Sequence, residues 1–153
     1  MSRNDEYTDI SDAFFRITMK FQAIEKIPRD FGVKEPLFPS EIHMVQAIGE
    51  TPGINVTELA LRLGITKGAI PKRIKKLEQK NLVRRYQDDD NRKEVNFVLT
   101  DEGATAFSAH KKYHAKIDRE IYGLMSSMGH EKLDIVRRLF TELDKYADRM
   151  LGE

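Results

Sequence analysis

The sequence has no cysteine at all. That absence removes disulfide scaffolds, thiolate zinc fingers, iron–sulfur clusters, cysteine nucleophiles and thiol redox sensors from consideration. Any metal would have to be held by nitrogen and oxygen ligands. Long apolar runs are missing too, and none approaches the ~18 residues of a membrane span. The first residues, MSRNDEYTDISD, are acidic and polar where a secretory signal would be basic and then apolar, so a cytoplasmic protein with no membrane partner is expected. There is no glycine-rich phosphate loop, no nucleophile elbow and no His-Glu-x-x-His pattern, which argues against an enzyme. A metal-dependent hydrolase built on the few histidines would lack its general base. With 153 residues, 40% of them hydrophobic, the chain is long enough to bury a core without a covalent staple.

What is present is an uneven charge. The net value of +1 conceals a segment, Thr66 to Lys93, with ten basic residues against four acidic ones, while the rest of the chain carries 16 basic and 21 acidic side chains. A basic face on an acidic body suits a protein that binds a polyanion with one surface and avoids it with the others. A merely solvated charge run would show the same composition, so the local pattern decides.

That pattern is helical at both ends. Ile10, Phe14, Ile17, Phe21 and Ile24 recur at spacings of four and three, predicting a helix of about five turns that stops near Pro28. Leu133, Val136, Phe140, Leu143, Ala147 and Met150 make a similar seam in the last helix. A third long helix is expected from about Asp101 to Met125, with Phe107, Ile117, Ile121 and Leu124 facing inward, before the break at Gly129. Two apolar seams remote from a basic middle suit a symmetric dimer, although packing within one chain would give the same periodicity.

The middle is made of shorter elements. Pro39 and Ser40 open a helix through Ile42, Val45 and Ile48 that the Gly49 to Gly53 stretch ends. Asn55 or Thr57 caps a short helix ending at Gly64, and Thr66 caps the next, whose inward stripe is Ile70, Ile74 and Leu77. This is a helix-turn-helix pattern. LVRRYQ and EVNFVLT, separated by the charged DDDNRK, then read as a β-hairpin wing in which Val95, Phe97 and Leu99 alternate with Glu94, Asn96 and Val98.

Three stretches, FPSEIHMVQAI, NVTELALRLGITKGAIPKRIKKLEQKNLVRR and DNRKEVNFVLTDEG, together resemble the MarR family of winged-helix transcriptional regulators. The resemblance covers nearly the whole chain. It implies a mainly α fold with a small β-hairpin, divided into an N-terminal dimerisation helix (1–36), a winged helix-turn-helix (37–103) and C-terminal dimerisation helices (104–153). The implied partners are double-stranded DNA and a second copy of the chain. The implied function is an effector-responsive, DNA-binding repressor, the effector being a small molecule or a metal.

In the family the helix matching Thr66 to Lys80 enters the major groove and a basic wing residue reaches the minor groove. The resemblance therefore marks Thr66, Lys67, Gly68, Lys72, Arg73, Lys75 and Lys76 of the helix, Arg84 and Arg85 after it, and Asn91, Arg92 and Lys93 of the wing. The family's wing pattern, Asp-x-Arg, falls on Asn91, Arg92 and Lys93 when counted back from Leu99 and Thr100. Moving it by one residue gives Asp90, Asn91 and Arg92, at the cost of a bulge or a longer tip. Arg92 is the favoured minor-groove residue because a guanidinium suits a narrow, negative groove; Lys93 is the alternative. Pro71 departs from the family's small hydroxyl residue, so the helix either starts later than Thr66 or kinks. An interaction module that has lost DNA binding is the reading these two departures would support.

His110 and His114, four apart on one helix face, have the spacing at which two imidazoles share a metal, with His43 as a third member. Hydrogen-bonded packing between helices is the plainer account of the same residues. The resemblance adds that a zinc-sensing branch of the family has histidines at the places of His43, His110 and His114 and a glutamate near Glu25. No cofactor is demanded by the sequence; zinc is the candidate.

Overall fold

A computed structural model describes residues 3–88 and 91–152, and side chains within that range apart from those of 3–6, 88 and 91–93. The chain forms two compact units, Met1–Lys111 and Lys112–Glu153. In the first, helix α1 (Arg3–Ile24) carries the predicted N-terminal stripe. A loop closed by a two-way backbone bridge between Arg29 and Leu37 leads to α2 (Pro39–Glu50), whose proline stands in the first turn where no N–H is needed. Ile42, Met44, Val45, Ala47 and Ile48 bury its inner face.

The capping ambiguity before the next helix resolves in favour of Asn55. Its side chain accepts the Glu58 N–H at 3.0 Å while Glu58 accepts the Asn55 N–H at 3.1 Å, a reciprocal capping box that starts α3 (Val56–Leu63). Gly64 ends α3 with φ +61°, a left-handed turn that glycine adopts without steric cost. Strand β1 (Ile54–Asn55) pairs with β3 (Asn91–Leu99), which pairs with β2 (Val83–Asp88), all antiparallel in the order β1-β3-β2. Phe97 is buried and Glu94 exposed, as the alternation requires.

Thr66 does not cap one continuous helix. Its side chain makes no capping hydrogen bond; a 3₁₀ turn (Lys67–Ala69) comes next, and α4 (Ile70–Gln79) begins only at Ile70. Pro71 consequently sits in the first turn of α4, where its missing N–H costs nothing. Ile70, Ile74 and Leu77 form the buried stripe.

The end of α4 is tied to β2 and to the helix after the wing. Asn81 adopts φ +56°, the Leu82 N–H donates to Leu77 O at 2.9 Å, and the Thr100 hydroxyl donates to Asn81 O at 2.5 Å while accepting the Gly103 N–H at 3.0 Å. Thr100 thereby opens helix α5 (Asp101–Ser126). Gly103 passes so close to the β2 entry that an added Cβ would meet the Leu82 carbonyl oxygen at 1.9 Å, and one on Gly49 would meet the Phe107 ring at 2.8 Å. Two glycines thus allow α5 to lie directly on the winged core.

In the second unit, which contains the latter part of α5 and helix α6 (His130–Leu151), no described residue is buried. Ile121 and Leu124 are 46% and 73% exposed, so the expectation that they face a core within the chain is not met. Phe107 and Ile117 are half-buried. The physical reason is that a two-helix unit has no third layer against which to bury a stripe.

The position of Pro71 yields a direct test. Pro71→Ser should leave stability unchanged or lower it by up to ~1 kcal/mol, because serine restores no helical hydrogen bond in the first turn and loosens the unfolded chain. Urea unfolding monitored by circular dichroism measures this. A clear gain in stability would mean that proline lies in a regular helix interior.

Candidate nucleic-acid interface and histidine cluster

The buried stripe of α4 dictates what the helix shows to solvent. With Ile70, Ile74 and Leu77 turned inward, Lys72, Arg73, Lys75 and Lys76 are exposed, joined by Thr66, Lys67 and Gly68 in the preceding turn and by Arg84 on β2. Among the described residues none of Lys67, Lys72, Arg73, Lys75, Lys76 and Arg84 has a carboxylate partner. Their charges remain available to an external anion.

Arg85 differs. It pairs with Glu78 in a two-pronged fork, the Nε donating to Oε1 at 2.7 Å and an Nη2 closing the fork on Oε2. The Arg85 hydrogen bond holds the Glu78 carboxyl below its ordinary range, and the Glu78 hydrogen bond raises the Arg85 pKa in turn. This bidentate pair fastens β2 to α4. Lys80 is engaged likewise, at 2.9 Å from Glu41 and 3.9 Å from Glu35, both before α4 in sequence. Sequence reasoning missed this sorting, because a charge count cannot say which cations already have partners.

Asn91, Arg92 and Lys93 belong to the backbone of β3, where Asp88 pairs with Asn91 and Tyr86 with Asn96. The single residue Gln87 intervenes on β2 against residues 92–95 on β3, so the ladder is irregular there. Asp90 and the side chains of Asn91, Arg92 and Lys93 lie outside the described residues.

A second constellation involves α2 and α5. His43 and His110 lie with ring centroids 5.5 Å apart, and Phe31 meets His110 edge-on at 5.4 Å. His110 is only 2% exposed. His114 stands one turn further along the unbroken α5, and His43, His110 and His114 can each offer a nitrogen within 4.8 Å of the others. Tetrahedral zinc with bonds of ~2.0–2.1 Å needs nitrogens about 3.3 Å apart. Three imidazoles are a suitable zinc set, with the fourth position left to water or another oxygen ligand. Glu25 is not a member of this group; it stands in the turn after α1. His130 is remote from it in sequence, faces solvent on α6, and lies 3.6 Å from Asp134.

The Glu78–Arg85 pair predicts a pH signature. Because the folded-state carboxyl is held below its ordinary value near 4.5, the pair stabilises the fold above that pH and ceases to do so as pH falls through the lowered value. Glu78→Gln should therefore be less stable than the wild type at pH 6, with the gap closing as pH falls below about 4.5. Thermal melts across that range check it; a gap independent of pH would mean that the carboxylate charge is not involved.

The geometry has counterparts. Residues 37–95 match the MarR family model. The HTH-type transcriptional regulator YhjH of Bacillus subtilis is 32% identical over 120 residues, 78% of this chain and 69% of the relative. The repressor MdtR from the same organism is 26% identical over 98 residues, 64% of this chain and 63% of the relative. Among solved structures, Streptococcus pneumoniae FabT in complex with DNA superposes with a TM-score of 0.75 at 21% identity, covering 94% of this chain and 99% of that one. Lactococcus lactis ZitR, a zinc-responsive MarR family member, gives 0.77 at 16% identity over 92% and 97%. With the helix-turn-helix, the three-stranded wing and the flanking helices all in the same order, this chain belongs to the MarR family of winged-helix transcriptional regulators.

Proposed function

We propose that the protein is a homodimeric DNA-binding repressor whose grip on its operator responds to an effector, and that it works in the cytoplasm and performs no catalysis. The observation that carries this reading is the row of unpartnered cations on α4. A rigid amphipathic helix with its apolar side fixed in a core is suited to the major groove, and its lysines to the flanking phosphates. The second copy is supported by the apolar residues left bare in one protomer, among them Ile10, Phe21, Phe140 and Met150. In a two-fold dimer, recognition helices about 34 Å apart would meet successive turns of one duplex face. An effector would act by preferring the dimer whose helix spacing does, or does not, match that distance.

Zinc is the effector favoured by a specific observation, the grouping of His43, His110 and His114. When bound it would supply a fixed positive charge and a link between α2 and α5. Neutral imidazole is the required donor, and Phe31 shields one side of His110 from water. ZitR, to which the fold is similar, is described as zinc-responsive, which adds to this reading.

Fluorescence anisotropy with the duplex upstream of the protein's own coding region tests the regulator reading. Combined Lys72→Gln, Lys75→Gln and Lys76→Gln should weaken binding by at least about tenfold without changing dimer mass in sedimentation. Equal affinity would remove α4 from the interface. Calorimetry tests the zinc reading separately: one ion per protomer with micromolar or tighter affinity, abolished in His110→Ala, is expected. No uptake would leave a small molecule as the effector.

A further inference from the structure

A cleft of about 490 Å³ opens within the first unit between the start of α2 and one flank of α4. Its size falls in the ~300–1,000 Å³ range of small-ligand sites. Buried Met44 and Leu77 and the Phe38 ring, 46% exposed, supply its apolar lining. Lys72, Arg73 and Lys76 line the same cleft.

The cleft has one carboxylate, and it is already compensated. Glu41 accepts the Phe38 N–H at 3.0 Å and the Lys80 ammonium at 2.9 Å. Three cations are thus left facing an apolar and aromatic lining, beside the positive end of the 12-residue α2. A monocarboxylate would balance one of the three. A polyphosphate balances all of them, and a planar base provides the face that an exposed phenylalanine stacks against.

We propose that this cleft binds a nucleoside polyphosphate, with the base on Phe38 and the phosphates on Lys72, Arg73 and Lys76. The ligand takes up the cations that a duplex would otherwise meet, so it competes with DNA directly. This goes beyond the regulator reading and stands or falls without it, since the deciding measurement contains no DNA.

Calorimetry at low salt on the full chain compares ADP and GDP with inorganic pyrophosphate and with adenosine. At least one nucleotide is expected to bind about tenfold more tightly than pyrophosphate, and adenosine to give no heat. Phe38→Ala should reduce the nucleotide to the pyrophosphate level and leave pyrophosphate unchanged. Phe38→Leu, which keeps apolar bulk but has no aromatic face, should do the same. Arg73→Gln should weaken nucleotide and pyrophosphate together. The proposal is overturned if neither nucleotide binds below about 1 mM, if pyrophosphate binds as well as both, or if the Phe38 variants bind nucleotide like the wild type.

Discussion

Two carboxylates decide how the basic segment is used. Glu78 takes Arg85 and Glu41 takes Lys80, and each pair joins separate elements: the wing to α4 in the first case, α2 to α4 in the second. The cations so engaged hold α4 between its neighbours. Those without partners remain exposed on its outer side, where a polyanion can reach them. Exposed pairs contribute little to stability alone, and Lys80 and Glu41 gain from their partial burial, with side chains 20% and 13% exposed. Position, more than energy, is what both pairs supply.

Close backbone approach supplies the second constraint. Gly103 lies against the Leu82 carbonyl and Gly49 against Phe107, so the first turns of α5 are seated on the core that also carries α4. Seven residues after Gly103, two turns along, His110 lies beside Phe31 and His43. The histidine grouping and the basic helix thus share one support. Glu41 of α2 in turn holds Lys80 at the end of α4.

Much of this architecture is legible in the amino-acid order. The four-and-three spacing from Ile10 to Ile24, the apolar stripe Ile70, Ile74 and Leu77, and the strand alternation around Phe97 are local periodicities, and local periodicity survives folding. Other features depend on pairings that no spacing encodes. Pro71 has the same covalent restraint in a first turn and in an interior, so its place is set by the 3₁₀ turn before it. The wing irregularity lies in pairing between strands. Ile121 and Leu124 have helical periodicity whether their cover comes from the same chain or another. The partners of Arg85 and Lys80, seven and 39 residues away, become visible only in three dimensions.

The sorting of cations is the central claim, and the salt dependence of DNA affinity tests it most directly. Lys75→Gln should flatten the slope of log K against log salt by about one for each phosphate that the lysine neutralises, whereas Arg85→Gln, whose charge is already spent on Glu78, should leave the slope unchanged. A slope flattened as much by Arg85→Gln as by Lys75→Gln would contradict the account.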